Sequence, residues 1–402
     1  MSAAVLLWGC PLLRSSGDRL ILPAVLLACI SCLQPGIDPV FLTLLSSVHG
    51  LAPDFHGWIV TATQSGMAIG SLLTWRWGTR IPRDAFALAA GFAAVAALAT
   101  PHTAPFMVLL TVRALYGGAM GMLYTQAMSN AALNRPHGAY GAVFLCQLML
   151  STGIAIGLPA ISTVAGPTMA LSALAAAPLG ALLLVAFSTR STAPPQHSPK
   201  PGAAQVHENT TLRAWASASA TLLFICSTMM IWTFSGALAV KAGISETVIG
   251  QAVALGSLAG AATAFLVMRE RSVVPPPLTG VLAGLALLSP IAATSTGNAE
   301  MFIVAIVLLN IGSTAIIVRT SGLASAASQD SLFRRFVACT HALGMIMGPL
   351  TGSLATGLFG DVGLLVAAVM AIAAACLMLL FAEAHSLRMR LWTKPREALQ
   401  QP

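Results

Sequence analysis

The sequence predicts an all-α polytopic membrane protein of twelve transmembrane helices, arranged as two pseudo-symmetric six-helix bundles. Three observations lead there: the composition, the length of the apolar runs, and the alternation of basic residues between them. Hydrophobic residues make up 57% of the 402-residue chain and charged residues only 8%, whereas an ordinary soluble domain carries roughly 25% charge. The apolar residues fall into runs long enough to cross a bilayer, about 20 residues each. They lie at 19–46, 55–75, 84–101, 104–131, 138–163, 166–187, 214–240, 247–268, 276–296, 300–325, 335–358 and 361–382. These runs are too long for strands and lack the short alternating segments of an outer-membrane barrel. They read as helices, which satisfy their own backbone hydrogen bonds in lipid.

Twelve crossings put both termini on one side. Of the 20 basic residues, 17 then fall outside the runs or at their first residue on that side, Lys241 falls on the other, and Arg113 and Arg319 lie deep inside runs. Basic residues stay with cytoplasmic loops, so both termini are expected in the cytoplasm. An Arg-rich chain (17 Arg, 3 Lys) that is also rich in Ala and Gly points to a bacterial inner (plasma) membrane. Topology thus accounts for the net charge of +8, and no basic stripe signals nucleic acid. The bilayer is the expected partner.

Other chemistries find no support. The sequence has no metal-ligand cluster, no phosphate-cradling Gly-x-x-x-x-Gly-Lys loop and no nucleotide-binding domain. No metal, cofactor, enzymatic activity or ATPase partner is expected, and the energy source should be an ion gradient. The seven cysteines sit in or beside apolar runs, where free Cys behaves as a small hydrophobe. Cys29-x-x-Cys32 has a redox spacing but lies within a run, without the βαβ setting such motifs require. The stretch 3–13 is too short to cross a bilayer and lacks a basic start, so it does not read as a signal peptide.

The longest polar interruption, 188–213, is rich in Pro, Ser and Ala and reads as a cytoplasmic linker. It separates an N-terminal bundle (1–187) from a C-terminal bundle with a cytoplasmic tail (214–402). The halves also repeat. Gly153-x-x-x-Gly157 recurs as Gly344-x-x-x-Gly348 at an offset of 191 residues, and Gly117 and Thr125 recur as Gly312 and Thr320 at 195. Internal duplication is the architecture of secondary transporters.

Local motifs add a family resemblance. Between the second and third runs the chain reads Ser71-Leu72-Leu73-Thr74-Trp75-Arg76-Trp77-Gly78-Thr79-Arg80. The fourth run carries Leu109-x-x-x-Arg113-x-x-Tyr116-Gly117, and the eleventh carries Gly344-x-x-x-Gly348-Pro349-x-x-Gly352. With its twelve runs and central linker, the chain resembles the major facilitator superfamily, and drug/proton antiporters within it. Arg76, Gly78 and Arg80 match that family's gating signature, with Trp75 in place of its acid and Ser71 in place of its first glycine. The resemblance implies alternating access, with Gly153, Gly157, Gly344, Gly348 and Pro349 among the moving parts. Small residues one turn apart also have a packing role, since they let helix backbones approach closely.

Three charges, Asp38, Arg113 and Arg319, are embedded in runs. Each costs at least about 2.5–3.5 kcal/mol at the bilayer centre, which makes it a functional candidate. Asp38 lies about ten residues from the outer end of its run and Arg113 about nine. At about 1.5 Å per residue both sit some 13–15 Å deep, so they are candidates for a proton-coupling ion pair. Gln34 shares a helical face with Asp38, and Pro35 and Pro39 beside them each remove a backbone donor, so the first run is expected to kink there. Tyr116, Met120, Tyr124, Trp232, Asn310 and Arg319 complete the candidate substrate cavity, with His341 as a neighbour of Arg319.

Proton-coupled export of a small organic compound is the first functional expectation. The alternative is proton-coupled uptake of an organic anion, with Arg113 binding its carboxylate or phosphate. A third reading is a non-transporting membrane sensor on the same scaffold. The topology is directly testable in a Cys-depleted background. A cysteine at Thr103 should react with a membrane-impermeant thiol reagent in intact cells, and one at Ser198 should not. The reverse pattern would invert the orientation.

Overall fold

In a computed structural model, the described residues are 22–51, 55–133, 135–188, 207–268, 274–328 and 330–398. The apolar stretch 3–13 and most of the linker, 189–206, lie outside them. The helices are α1 (Leu22–Ser31), α2 (Gln34–His49), α3 (His56–Trp77), α4 (Arg83–Ala99), α5 (Phe106–Ala131), α6 (Pro136–Ala165), α7 (Pro167–Ala173), α8 (Ala176–Ser188), α9 (His207–Lys241), α10 (Glu246–Val267), α11 (Pro276–Thr294), α12 (Ala299–Ala326) and α13 (Ser331–Ala398).

Nine segments among the described residues are long and apolar enough to cross a bilayer, and three features account for the other crossings. The first crossing is split into α1 and α2, each too short alone. The second, α3, carries His56, Gln64 and Arg76, which dilute its apolar character. The last two are continuous in α13, where Gly360 (φ 62°, ψ −154°) interrupts the helical backbone. A Cβ on Gly363 would lie 2.1 Å from the Ala355 carbonyl oxygen, although residues eight apart on one helix are separated by about 12 Å. The chain therefore doubles back at Gly360, and α13 crosses twice.

Two interruptions were not expected in their observed form. The first crossing breaks at Cys32–Leu33, before the prolines that the sequence singled out. Pro35 sits in the first turn of α2, where a helix needs no N–H donor, and α2 continues through Pro39. The sixth crossing breaks between α7 and α8 at Leu174–Ala175.

The chain divides into two compact units, one of Met1–Ala193 with Ser257–Glu270 and the other of Pro194–Gly256 with Arg271–Pro402. One cut falls in the linker. A second runs through α10, whose later half joins the first unit because Ala264 and Met268 meet Gly141 of α6.

Within the first unit, α3 and α5 interlock through glycines. A Cβ on Gly66 would lie 1.9 Å from the Ala114 carbonyl oxygen, on Gly70 1.9 Å from that of Gly118, on Gly117 2.0 Å from that of Thr63, and on Gly121 2.1 Å from that of Met67. Each value is below contact distance, so the two backbones touch where any side chain would separate them. Ser71 adds a rung by donating from Oγ to the Gly121 carbonyl (3.3 Å). Serine in place of the family's glycine is thereby accommodated.

The glycines of α6 behave differently. Nothing lies within 4 Å of a Cβ on Gly153 or Gly157, while Gly344 meets Ile225 at 2.6 Å and Gly348 meets the Cys226 carbonyl at 2.5 Å. The repeated motif therefore packs in the second unit and stands open in the first. Gly66→Ala should overpack the α3–α5 contact and cost about 1–3 kcal/mol. Gly153→Ala should leave stability unchanged or raise it by about 0.5–1 kcal/mol through helix propensity. Thermal unfolding of the purified protein compares the two, and equal destabilisation would refute the interlock.

Candidate functional site

The site grows from the break between α1 and α2. A helix interrupted inside a bilayer leaves backbone groups that only protein can satisfy. Here Gln147 of α6 serves that purpose: its Nε2 donates to the Cys32 carbonyl (2.9 Å), and the Cys32 thiol donates back to Gln147 Oε1 (3.3 Å). Gly36 lets α2 approach α6 closely, since a Cβ there would fall 2.3 Å from Ser151 Oγ. With α2 restarted at Gln34, residues four apart share a face, and Gln34 Nε2 donates to Asp38 Oδ1 (2.7 Å). Asp38 is half-buried.

Arg113 enters from α5 and is 2% exposed. The α3–α5 interlock brings it against Thr63, whose Oγ1 accepts from Arg113 Nε (3.2 Å) while donating to the Ile59 carbonyl (2.9 Å). The guanidinium carbon lies 4.5 Å from the ring centroids of both Phe41 and Tyr116, within cation–π range of each. Arg113 Nη2 is buried and meets no acceptor.

The ion pair expected between Asp38 and Arg113 is not formed. The two charges lie close enough to interact through space, but Asp38 is turned to Gln34, and Arg113 is held by Thr63 and two rings. The two aromatic rings compete with the carboxylate for the guanidinium.

The remaining candidates divide between the units. Tyr116, Met120 and Tyr124 are buried on α5, and the Tyr116 ring lies against the Arg113 guanidinium. In the second unit, Trp232 packs on a core of Ala239, Ile244, Ala252, Phe302 and Ile306. Asn310 Nδ2 donates to its own helix at Ile306 (2.9 Å) and faces Gly256. Arg319 is half-buried and donates to Thr279 Oγ1 of α11, with the Glu383 charge in range. His341 Nε2 hydrogen-bonds Ser321 Oγ (2.9 Å), two residues beyond Arg319 on α12.

The gating candidates end α3. Arg76 and Arg80 are exposed, and Gly78 caps the helix by donating to the Thr74 carbonyl (2.8 Å). Sequence reasoning missed Phe41, Thr63 and Gln147, which carry no charge to attract notice. The spacings Gly66-x-x-x-Gly70 and Gly117-x-x-x-Gly121 were a legible signal for the helix pair that delivers Arg113.

Comparison with known proteins agrees with this architecture. The family model of the Major Facilitator Superfamily matches residues 24–332. The human organic anion transporter MFSD10 (TETRAN) superposes with a TM-score of 0.69 at 14% identity, covering 91% of this chain and 100% of that one. FucP, a Major Facilitator Superfamily transporter in the outward conformation, gives 0.61 at 12% identity, with 90% and 98% covered. A bacterial homologue of the iron transporter ferroportin, outward-facing with soaked iron, gives 0.64 at 15% identity, with 91% and 99% covered. At these identities the likeness is one of fold. No curated protein sequence matches the chain.

The role of Gln147 is testable without a substrate. Gln147→Leu leaves the Cys32 carbonyl unpaired and should destabilise by about 1–3 kcal/mol. It should also speed amide hydrogen exchange from Gln34 to Asp38. Unchanged stability and exchange would mean that the break does not depend on this contact.

Proposed function

The chain belongs to the Major Facilitator Superfamily, and from that premise we propose a proton-coupled secondary transporter of a small organic anion, with Arg113 as anion anchor and Asp38 as proton carrier. The observation that carries the substrate class is a buried guanidinium whose Nη2 has no acceptor. A guanidinium presents a planar fork of donors matched to carboxylate or phosphate. Phe41 and Tyr116 hold that fork in place while supplying no full negative charge. The fold neighbour described as an organic anion transporter is in keeping with this class.

Coupling follows from electrostatics. A buried cation needs compensation, and a single negative partner is enough to balance Arg113. Ionised Asp38 can be that partner through space; once Asp38 is protonated, a substrate anion takes the role. Proton and anion then favour each other's binding, and such coupling is reciprocal. A transporter that carries both together uses an inward proton gradient for uptake.

Export by antiport is the second reading. It is favoured by the resemblance of Gly344-x-x-x-Gly348-Pro349-x-x-Gly352 to the antiporter glycine motif, and it requires a substrate that competes with the proton for Asp38. Counterflow in proteoliposomes with opposite imposed pH gradients and a panel of radiolabelled organic acids separates the two. An inward acid gradient driving substrate inward supports symport, and outward movement supports export. Both readings place the termini in the cytoplasm of a bacterial inner membrane and assume alternating access.

For the anion reading, apparent affinity should fall as pH rises, because ionised Asp38 competes for Arg113. Asp38→Asn keeps the shape and the Gln34 contact but holds no exchangeable proton. Anion binding should persist and lose its pH dependence, while accumulation against a gradient is lost. Arg113→Ala should weaken binding about ten- to hundredfold, the loss of a charged hydrogen bond worth about 1.5–3 kcal/mol, and Arg113→Lys should weaken it less. Folded Asp38→Asn protein that accumulates substrate at the wild-type rate would falsify the carrier role.

A further inference from the structure

The open glycines of α6 border a cleft of about 420 Å³, walled by Ile30 and Leu33 at the α1–α2 break, by Gly153 and Gly157, and by Ala173 and Ala177 at the α7–α8 break. Both helix interruptions of the first unit therefore face one space. Its lining offers no polar side chain, and an apolar cavity does not hold water. The adjoining surface of α6 continues the apolar exterior, with Ile156 72%, Ile161 38% and Leu150 39% exposed.

The cleft's extent identifies an occupant. The crossing α6 runs over Pro136–Ala165, 30 residues, and the lining runs from Leu150, at its middle, to Ile161, near its C-terminal end. At about 1.5 Å per residue that is about 16 Å. One leaflet is about 15 Å deep, half the roughly 30 Å hydrocarbon core. A helix from a second copy fits poorly. With a diameter of about 10 Å it displaces on the order of 120 Å³ per residue, so the cleft would admit about one turn and not the two that a Gly-x-x-x-Gly contact spans.

We propose that this cleft binds one acyl chain of a lipid from the leaflet at the C-terminal end of α6, the chain's methyl end resting against Ile30, Leu33 and Leu150. The chain stands where another helix would otherwise pack on Gly153 and Gly157, and it fills the space left by the two breaks.

Photolabelling tests this with the full-length protein in proteoliposomes. The vesicles are phosphatidylglycerol and phosphatidylethanolamine, doped with a phospholipid carrying a diazirine near the end of one acyl chain. Peptide mapping should find label enriched at Ile30, Leu33 and Leu150 over the exposed α4 positions Leu88 and Val95, which report ordinary annular lipid. Gly157→Leu fills the cleft and should abolish the enrichment while α4 labelling stays unchanged. Gly153→Ala, whose added methyl meets nothing, should keep it, and thermal stability no lower than wild type in both variants shows that the fold is intact. Should Gly157→Leu fail to fold, the proposal rests on enrichment in the wild type and in Gly153→Ala. Label no stronger in the cleft than on α4, or unaffected by Gly157→Leu in folded protein, overturns the proposal. So do crosslinks joining two copies through α6.

Discussion

Lipid gives a helix no hydrophobic gain for leaving it, so the architecture depends on backbone groups: how closely they approach one another, and how each is satisfied. The α3–α5 interlock is the plainest case. Four glycines bring carbonyl oxygens to where side chains would stand, and that registration sets Arg113 opposite Thr63. The break between α1 and α2 shows the same constraint from the other side. Its free carbonyl is paired by Gln147, and the restarted helix carries Asp38 on the same face as Gln34.

The two halves use one motif for different ends. In the second unit Gly344 and Gly348 press against Ile225 and the Cys226 carbonyl of α9, and Gly352 against Phe234. In the first unit the equivalent pair faces a cleft. Small residues permit close approach but do not compel it; whether a helix arrives depends on the neighbours. Here the neighbours are two interrupted crossings, whose breaks line the cleft.

The charges divide along similar lines. Arg113 lies against two rings, with the Asp38 carboxyl in electrostatic range and no direct ion pair. Arg319 has a neutral partner in Thr279 and a carboxylate, Glu383, farther off. Near the opposite end of the second unit from Arg334 and Arg335, Lys241 pairs with Asp361 at 2.5 Å, both largely exposed. That pair ties the end of α9 to the start of the last crossing just past the Gly360 reversal.

Several features were legible before any coordinates: a helical membrane protein, the positions of its crossings, and the three charges that fall inside its apolar runs. They depend on run length, on the bilayer's thickness and on the cost of burying charge, all of which act residue by residue along the chain. The contacts those charges make were not legible. Arg113 was expected to meet Asp38, and found Phe41, Tyr116 and Thr63. The first crossing was expected to bend at its prolines, and breaks two residues earlier. The sixth gave no warning of its break. A side chain's partner is set by the rotation and register of whole helices, and these follow from glycine contacts and backbone pairing between residues 50 to 115 positions apart. Sequence determined which residues would be costly to place in lipid, and only the tertiary structure decided what compensates each of them.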